Sequence, residues 1–141
     1  MDDPLQRASV TLLIHGDDLV PEELTALLGR EPEIGVRKGQ TFVAQRSRVI
    51  IARTGKWILG TGYREPPSID TQIRELLNSL PAGLDIWSDL TARFDCLLTV
   101  GVYFADDSWT GGILLEAQTL RMLGERGLAI DFDMYAPGAS N

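Results

Sequence analysis

The chain has 141 residues, of which 44% are hydrophobic and 23% charged, as in an ordinary folded domain rather than a disordered chain. No apolar run approaches the ~20 residues of a membrane span, and the Met-Asp-Asp-Pro start lacks the features of a secretory signal. A net charge of −7, one cysteine and one histidine argue against nucleic-acid binding, disulfides and multi-cysteine or histidine-based metal sites. We therefore expect one cytoplasmic domain over 1–141, with an ordered core at about 8–135 and no cofactor.

The chain begins with a predicted strand and helix. Residues 8–15 are rich in Val, Leu, Ile and Thr, which favours a strand. Asp17 and Asp18 offer oxygens that can cap a following helix, and Pro21 is tolerated in its first turn. Leucines at helical spacing follow, and Gly29 is placed to end the helix in a left-handed conformation.

A glycine-rich and proline-rich loop is predicted over 30–41, followed by a hairpin. Two strand-like runs, 47–53 and 56–61, flank the pair Thr54-Gly55, which is typical of a tight turn. In that register Arg53 lies opposite Lys56, a like-charge pair that needs an acid or a bound anion nearby.

The second half of the chain alternates helices and strands. The 94–104 strand is apolar on one face and half apolar on the other, which predicts a central position in the sheet. The predicted elements are a helix over 69–80, a short helical turn over 85–90, the 94–104 strand, a helix over 113–126 with Gly127 as its cap, and a strand over 128–135.

The predicted order is β-α-β-β-α-β-α-β. Helices interspersed among a hairpin and single strands favour an α+β fold with a mostly antiparallel sheet and helices on one face, and we expect a ferredoxin-like sandwich. A strand, acidic loop, helix and glycine recur at 11–29 and 98–127, which suggests an internal duplication.

Charge is distributed unevenly along the chain. No acid occurs between Glu33 and Glu65, yet seven of the 13 basic residues lie there, so the remainder carries a net charge of −14. An anion-binding or acidic-partner face is one interpretation, because arginine forks suit carboxylates and phosphates. Pairing with this protein's own acids is the more ordinary one. The candidate binding residues here are Arg37, Lys38, Arg53 and Trp57, although Trp57, on an apolar strand, is more typical of a core.

The final strand offers a second candidate group. Asp131, Asp133 and Tyr135 share one face, where two carboxylates can bind a cation or act as acid and base. More often such a pattern is the solvent-facing half of a strand, or a partner for nearby arginines. Pairing of Asp133 with Arg37, Lys38 or Arg53 would join the two groups.

Metal and nucleophile chemistry have weaker support. The pairs Asp17-Asp18 and Asp106-Asp107 could hold a divalent metal if the suggested duplication brought them together, but caps and exposed loops explain them, and no metal site is expected. His15 and Cys96 would form a nucleophile–base dyad only if they met in space. A cysteine in an apolar strand is more often inert.

Several segments resemble a bacterial family known as domain of unknown function 4279, and the resemblance spans roughly residues 8–135. It implies a compact α+β domain with no established activity and no catalytic residues. The segments that carry it are Asp17-Asp18-Leu19, Pro21-Glu22-Glu23-Leu24-Thr25-Ala26-Leu27-Leu28-Gly29, Arg37-Lys38-Gly39, Lys56-Trp57-Ile58-Leu59 and Asp131-Phe132-Asp133-Met134-Tyr135.

These observations favour a non-catalytic binding or protein-interaction domain that presents a basic hairpin face. An immunity-type protein and a homodimer both fit this interpretation. The alternative is a small-molecule enzyme or anion-binding protein with a sheet-face pocket around Arg37, Asp133 and Tyr135. A nucleic-acid partner is disfavoured by the acidic remainder of the chain.

Overall fold

The computed structural model describes residues 5–44, 47–105 and 112–137. This part of the chain forms four helices, a mixed five-stranded sheet and a two-stranded sheet, so the α+β class is confirmed. The elements are β1 (Leu5–Gly16), α1 (Pro21–Leu28), β2 (Ile34–Val36), β3 (Thr41–Val43), β4 (Val49–Ile51), β5 (Gly55–Gly60), α2 (Ile69–Asn78), α3 (Leu84–Arg93), β6 (Asp95–Phe104), α4 (Ala117–Glu125) and β7 (Ala129–Tyr135).

The large sheet has the order β2-β5-β1-β6-β7. Its first three pairings are antiparallel, and β7 runs parallel to β6 after the crossover through α4. As expected, β6 is an interior strand. The two edges of the sheet are therefore β2 and β7.

The hydrophobic core lies between the sheet and all four helices. Alternate residues of β1, from Ala8 to Ile14, are fully buried because strand side chains point to opposite faces. They pack in one cluster with Trp57, Leu98, Ile73 and Trp87 from both sheet and helices. The helices thus cover one face of the sheet, and we call the other face, which carries Arg7, Leu13, Thr99 and Tyr135, the open face.

The predicted hairpin over 47–61 is wrong. Strand β5 pairs with β1 and β2, whereas β4 pairs with β3 in a separate two-stranded sheet, which we call the ribbon. Trp57 therefore lies opposite Ile14 and Gly35 rather than Ala52. The expected loop over 30–41 also contains β2, and the observed order has two more strands and one more helix than predicted.

The element ends differ from the predictions in identifiable ways. Helix α1 is capped by Val20 without a side-chain hydrogen bond, so the capping role expected for Asp17 and Asp18 is wrong. Gly29 does end the helix, with φ of 70°. The predicted turn over 85–90 is a full helix, α3, and α4 begins at Ala117 rather than at residue 113.

The two proposed repeats have different connections. In the first, β5 lies between β1 and β2, while in the second β6 and β7 are direct neighbours. Asp106 and Asp107, which belong to the second copy, lie outside the described residues.

Candidate functional site

The basic residues beside β2 are largely paired with this chain's own acids. Arg37 Nη2 lies 3.4 Å from Glu22 Oε2, and Lys38 Nζ lies 3.2 Å from Asp17 Oδ2. The hydrogen bond from Lys38 lowers the pKa of Asp17 below its ordinary value. These exposed pairs add little stability, but they occupy two of the candidate cations.

Arg53 and Trp57 have opposite environments. Arg53 is exposed, between the ribbon and β5. Trp57 is fully buried among the helix-facing residues, and its indole Nε1 donates to Thr25 Oγ1 at 3.1 Å. Trp57 is thus a core residue in this structure rather than an exposed stacking surface.

Asp131, Asp133 and Tyr135 lie on the open face at β7, as their alternation predicts. Burial, followed by the charge of Asp133, raises the pKa of Tyr135. Because β7 and β2 are opposite edges, about 19 Å separates this group from the β2 edge. The suggested pairing of Asp133 with Arg37 or Lys38 is therefore wrong, and Arg37 does not share one pocket with Asp133 and Tyr135. Arg53 precedes β5, three strands from β7, and within the described residues no ion pair joins it to Asp133.

A different arginine lies in the same cross-strand row of the open face as Tyr135. In register across the sheet, Arg7 of β1 is opposite Tyr103 of β6, which is opposite Tyr135 of β7. The Tyr103 and Tyr135 rings stack with centroids 4.7 Å apart, and Tyr63 meets Tyr103 edge-on at 5.6 Å. The Arg7 guanidinium carbon lies 4.3 Å from the Tyr103 centroid and 4.7 Å from that of Tyr63. We call these four residues the tyrosine–arginine cluster.

Sequence reasoning missed Arg7, Tyr63 and Tyr103. Tyr103 lies on the less apolar face of a predicted strand, which is a weak signal by itself. Its partners become apparent only from the order and register of β1, β6 and β7, which are long-range properties.

The ribbon presents an apolar surface. Val43 lies opposite Val49, and Ile51 lies two residues along on the same side. Their side chains are 63%, 71% and 65% exposed, respectively. The other side of the ribbon carries Phe42, whose ring lies 5.3 Å from Lys56 Nζ, so that side faces the sheet.

The proposed nucleophile–base dyad is not formed. Cys96 is opposite Ile14 on the helix-covered face, whereas His15 is opposite Asp95, with Nδ1 3.9 Å from Asp95 Oδ2. Burial raises the pKa of the Cys96 thiol to about 11. Within the described residues, no three His, Cys, Asp or Glu side chains group as a metal site requires. Nor does this part of the chain contain a helix of the length and apolarity that crossing a membrane demands.

Fold and surface together define a helix-backed α+β sheet domain that carries a projecting ribbon and an open polar sheet face. The model of the family described as "Domain of unknown function (DUF4279)" matches residues 6–137, nearly the whole chain. The chain belongs to this family, which confirms the resemblance seen in the sequence. No curated protein and no solved structure matches it.

Proposed function

We propose that this domain is a non-catalytic protein-interaction domain whose ribbon binds an acidic protein partner. The observation that carries the proposal is the exposure of Val43, Val49 and Ile51 on one side of the ribbon. Grouped aliphatic side chains are costly to leave in water, and such patches commonly mark protein interfaces.

The charges around this patch specify the kind of partner. Residues 34–64 include no acid, and Arg48 and Arg53 are exposed without an ion pair to any described carboxylate. An apolar patch with a basic rim complements an apolar patch with an acidic rim. Docking of two ribbons would instead bring the arginines of two copies together, which favours a different protein over a homodimer at this surface. An immunity-type protein that binds a toxin would be one example.

We also infer a ferredoxin-like core. Elements β1, α1, β2, β5, α2 and β6 follow the order β-α-β-β-α-β, and β2-β5-β1-β6 pair antiparallel throughout. On this inference the ribbon is an insertion between the second and third core strands. Function varies most in such insertions on a shared scaffold, which supports the choice of the ribbon.

The enzyme alternative has less support. It requires Arg37, Asp133 and Tyr135 to line one pocket, and these residues lie at opposite edges of the sheet. A nucleic-acid partner would also meet a chain whose net charge is −7.

Photo-crosslinking tests the proposal directly. A photoreactive amino acid at Val49 would be compared in the source cells with one at Leu114, which is 75% exposed but far from the ribbon in sequence and structure. We expect position 49, and not position 114, to capture a distinct acidic protein. Crosslinks from position 49 only to a second copy or to nucleic acid, or no capture above the position 114 control, would contradict the proposal.

Affinity measurements with the captured protein show how much the apolar side chains and the arginines each contribute to binding. Val49→Ser with Ile51→Ser should weaken binding at least about tenfold, and so should Arg48→Glu with Arg53→Glu. Leu114→Ser should change the Kd by less than about twofold, because it removes an equally exposed side chain elsewhere. If neither pair of substitutions changed the Kd, the interface would lie on another surface.

A further inference from the structure

Strand β7 is an edge strand with one unpaired side. All seven of its residues are in register with β6, and no backbone hydrogen bond joins it to any other described segment. Edge strands are commonly short or interrupted by a bulge, a proline or a lysine, because a free edge can pair with another chain. Ala129–Tyr135 contains no proline or lysine, and its register with β6 is continuous. The backbone of this edge is therefore suited to accept another strand.

An apolar groove lies beside this edge. It is lined by Ile113, Leu115, Phe132 and Met134 and has a volume of about 340 Å³. Phe132 packs partly against the core, whereas Met134 is 50% exposed. The volume is many times the ~30 Å³ of one water molecule, and all four lining side chains are apolar, so the groove suits apolar side chains.

The other side of the same strand is acidic. Asp131 and Asp133 lie on the open face, and neither forms an ion pair with a described residue. Because side chains alternate between the two faces of a strand, a strand added to β7 would place every second side chain beside these carboxylates and the others toward the groove. The complementary strand therefore alternates basic and apolar residues.

The same two acids disfavour a second copy of β7 as the added strand. If two β7 strands paired antiparallel about Phe132, Asp131 of each copy would lie opposite Asp133 of the other. Shifting the register by one residue pair in either direction places Asp133 or Asp131 opposite its own copy. Like charges directly opposite each other destabilise a strand pair, so the edge selects against itself.

We propose that the β7 edge binds an extended segment of another protein in which basic and apolar residues alternate. The segment adds a sixth strand to the large sheet, with its basic side chains beside Asp131 and Asp133 and its apolar side chains in the groove. Backbone hydrogen bonds provide affinity, while the acids and the groove provide specificity.

This surface is separate from the ribbon and goes beyond the proposed function. The ribbon contacts Lys56 of β5, which is three strands away from β7 in the sheet. The two surfaces also select partners of opposite charge. Loss of binding at one surface therefore leaves binding at the other to be tested independently.

Peptide binding to the full chain tests the inference. The probe is a fluorescent acetyl-Lys-Val-Arg-Val-Lys-Val-Thr-amide peptide, and the measurement is its anisotropy. We expect saturable binding that is at least about tenfold tighter than that of an isomer with the basic residues and the valines in two separate blocks. A version with glutamate at each basic position should bind at least about tenfold more weakly. No saturable binding of the alternating peptide below about 1 mM would overturn the proposal and leave the acids as protection of the edge only.

Backbone methylation of the peptide distinguishes strand addition from charge attraction alone. One isomer is N-methylated at the valines and the other at the basic residues, so the two have the same side chains and charge. An added strand turns only alternate N–H groups toward its neighbour, so one isomer should bind at least about tenfold more weakly than the other. Equal binding by the two isomers would contradict strand addition.

Variants of the acids test the charge selection. Asp131→Asn with Asp133→Asn should weaken binding of the alternating peptide at least about fivefold, because the partners of its basic side chains are lost. The matched control is Asp18→Asn with Asp85→Asn, which changes the net charge equally at two exposed acids elsewhere and should change the Kd by less than about twofold. Equal weakening by both pairs would indicate attraction to the whole chain and contradict the assignment to β7.

A variant of the groove tests the apolar contact. Met134→Ser should weaken binding at least about threefold, because it removes an apolar side chain from the groove. Leu84→Ser is the control, since Leu84 is 44% exposed on α3, and it should leave the Kd within about twofold. Unchanged binding by Met134→Ser would contradict the placement of the apolar side chains. The methylated peptides are measured with the unmodified chain and remain decisive if a variant does not fold.

Discussion

At the scale of single residues, the face on which a side chain lies decides its chemistry. Cys96 and Asp95 are neighbours in sequence, but the strand directs Cys96 toward the helices and Asp95 toward the open side of the sheet. Burial, followed by the charge of Asp95, raises the pKa of the Cys96 thiol to about 11. The thiolate is the reactive form of cysteine, so Cys96 is protonated and unreactive near neutral pH.

The first prediction concerns the reactivity of Cys96. At pH 8 a disulfide reagent should modify native Cys96 about a hundredfold more slowly than the same cysteine in guanidinium-unfolded protein, since the native thiolate fraction is that much smaller. The measurement is the rate of thionitrobenzoate release. A matched control is Ser88→Cys in a Cys96→Ala background, because Ser88 is exposed on α3 and should react rapidly. Native Cys96 that reacted as fast as the Ser88→Cys control would contradict the burial.

At the scale of elements, one carboxylate connects two helices. Asp70, in the first turn of α2, accepts a hydrogen bond from the backbone N–H of Glu116 at 3.0 Å and another from Arg74 Nε at 3.1 Å. Glu116 caps α4 but provides no side-chain cap of its own. The start of α4 is therefore held by a residue on another helix.

The second prediction is the pH dependence of this contact. Burial acts to raise the pKa of Asp70, but the interactions with the Thr119 hydroxyl, the Glu116 N–H and Arg74 together outweigh it, and the pKa is lowered. A lowered folded-state pKa gives stability that is present above the unfolded pKa of about 3.9 and is lost as the pH falls through the folded value. Asp70→Asn should therefore lower the free energy of unfolding by about 1–2 kcal/mol at pH 7, and by less below pH ~4.

Urea unfolding at pH 7 and pH 3.5 measures this difference. Asp85→Asn is the matched control, since Asp85 is also in a first helical turn but is exposed and makes no ion pair with a described residue. Asp85→Asn should lower the free energy of unfolding by less than about 0.5 kcal/mol at either pH. If Asp70→Asn lowered the free energy of unfolding by the same amount at both pH values, the charge of Asp70 would not contribute to stability.

Element types were readable from local patterns, but strand partners were not. Gly55 shows why: it indicated a hairpin turn, yet a Cβ there would lie 2.8 Å from Gly16 O and 2.9 Å from Leu19 Cβ. The glycine is required because β5 approaches β1 closely, not because the chain turns back on β4. Thr54-Gly55 correctly indicates that the backbone is constrained at this point. The constraint comes from close packing against β1 and not from a hairpin turn.

At the scale of the whole molecule, strand order determines which candidate residues meet. The alternation of β7 correctly placed Asp133 and Tyr135 on one face, but only the order β2-β5-β1-β6-β7 excludes Arg37 and brings in Arg7. Such order depends on contacts between distant segments, which periodicity in one sequence does not encode.

The same order makes the ribbon structurally dispensable, which gives the last prediction. Gln40 and Ala52 already pair at its base, where Ala52 N donates to Gln40 O at 2.8 Å. Replacing residues 41–51 with Asn-Gly would close the chain by a two-residue turn of favoured type. The shortened chain should keep the five-stranded sheet and unfold cooperatively, with a free energy of unfolding within about 1–2 kcal/mol of the full chain, because the outer ribbon side chains are exposed.

Circular dichroism and urea unfolding followed by tryptophan fluorescence report this outcome, since Trp57 is fully buried in the large sheet. Phe42→Ala is the control for the ribbon side chain whose ring lies against Lys56, and should account for most of any stability loss in the shortened chain. The shortened chain should also lose the partner captured at Val49. Loss of cooperative unfolding on shortening, with Phe42→Ala still stable, would mean that the ribbon backbone is part of the fold itself. The ribbon would then have a structural reason to exist, and the case for it as a binding insertion would fail.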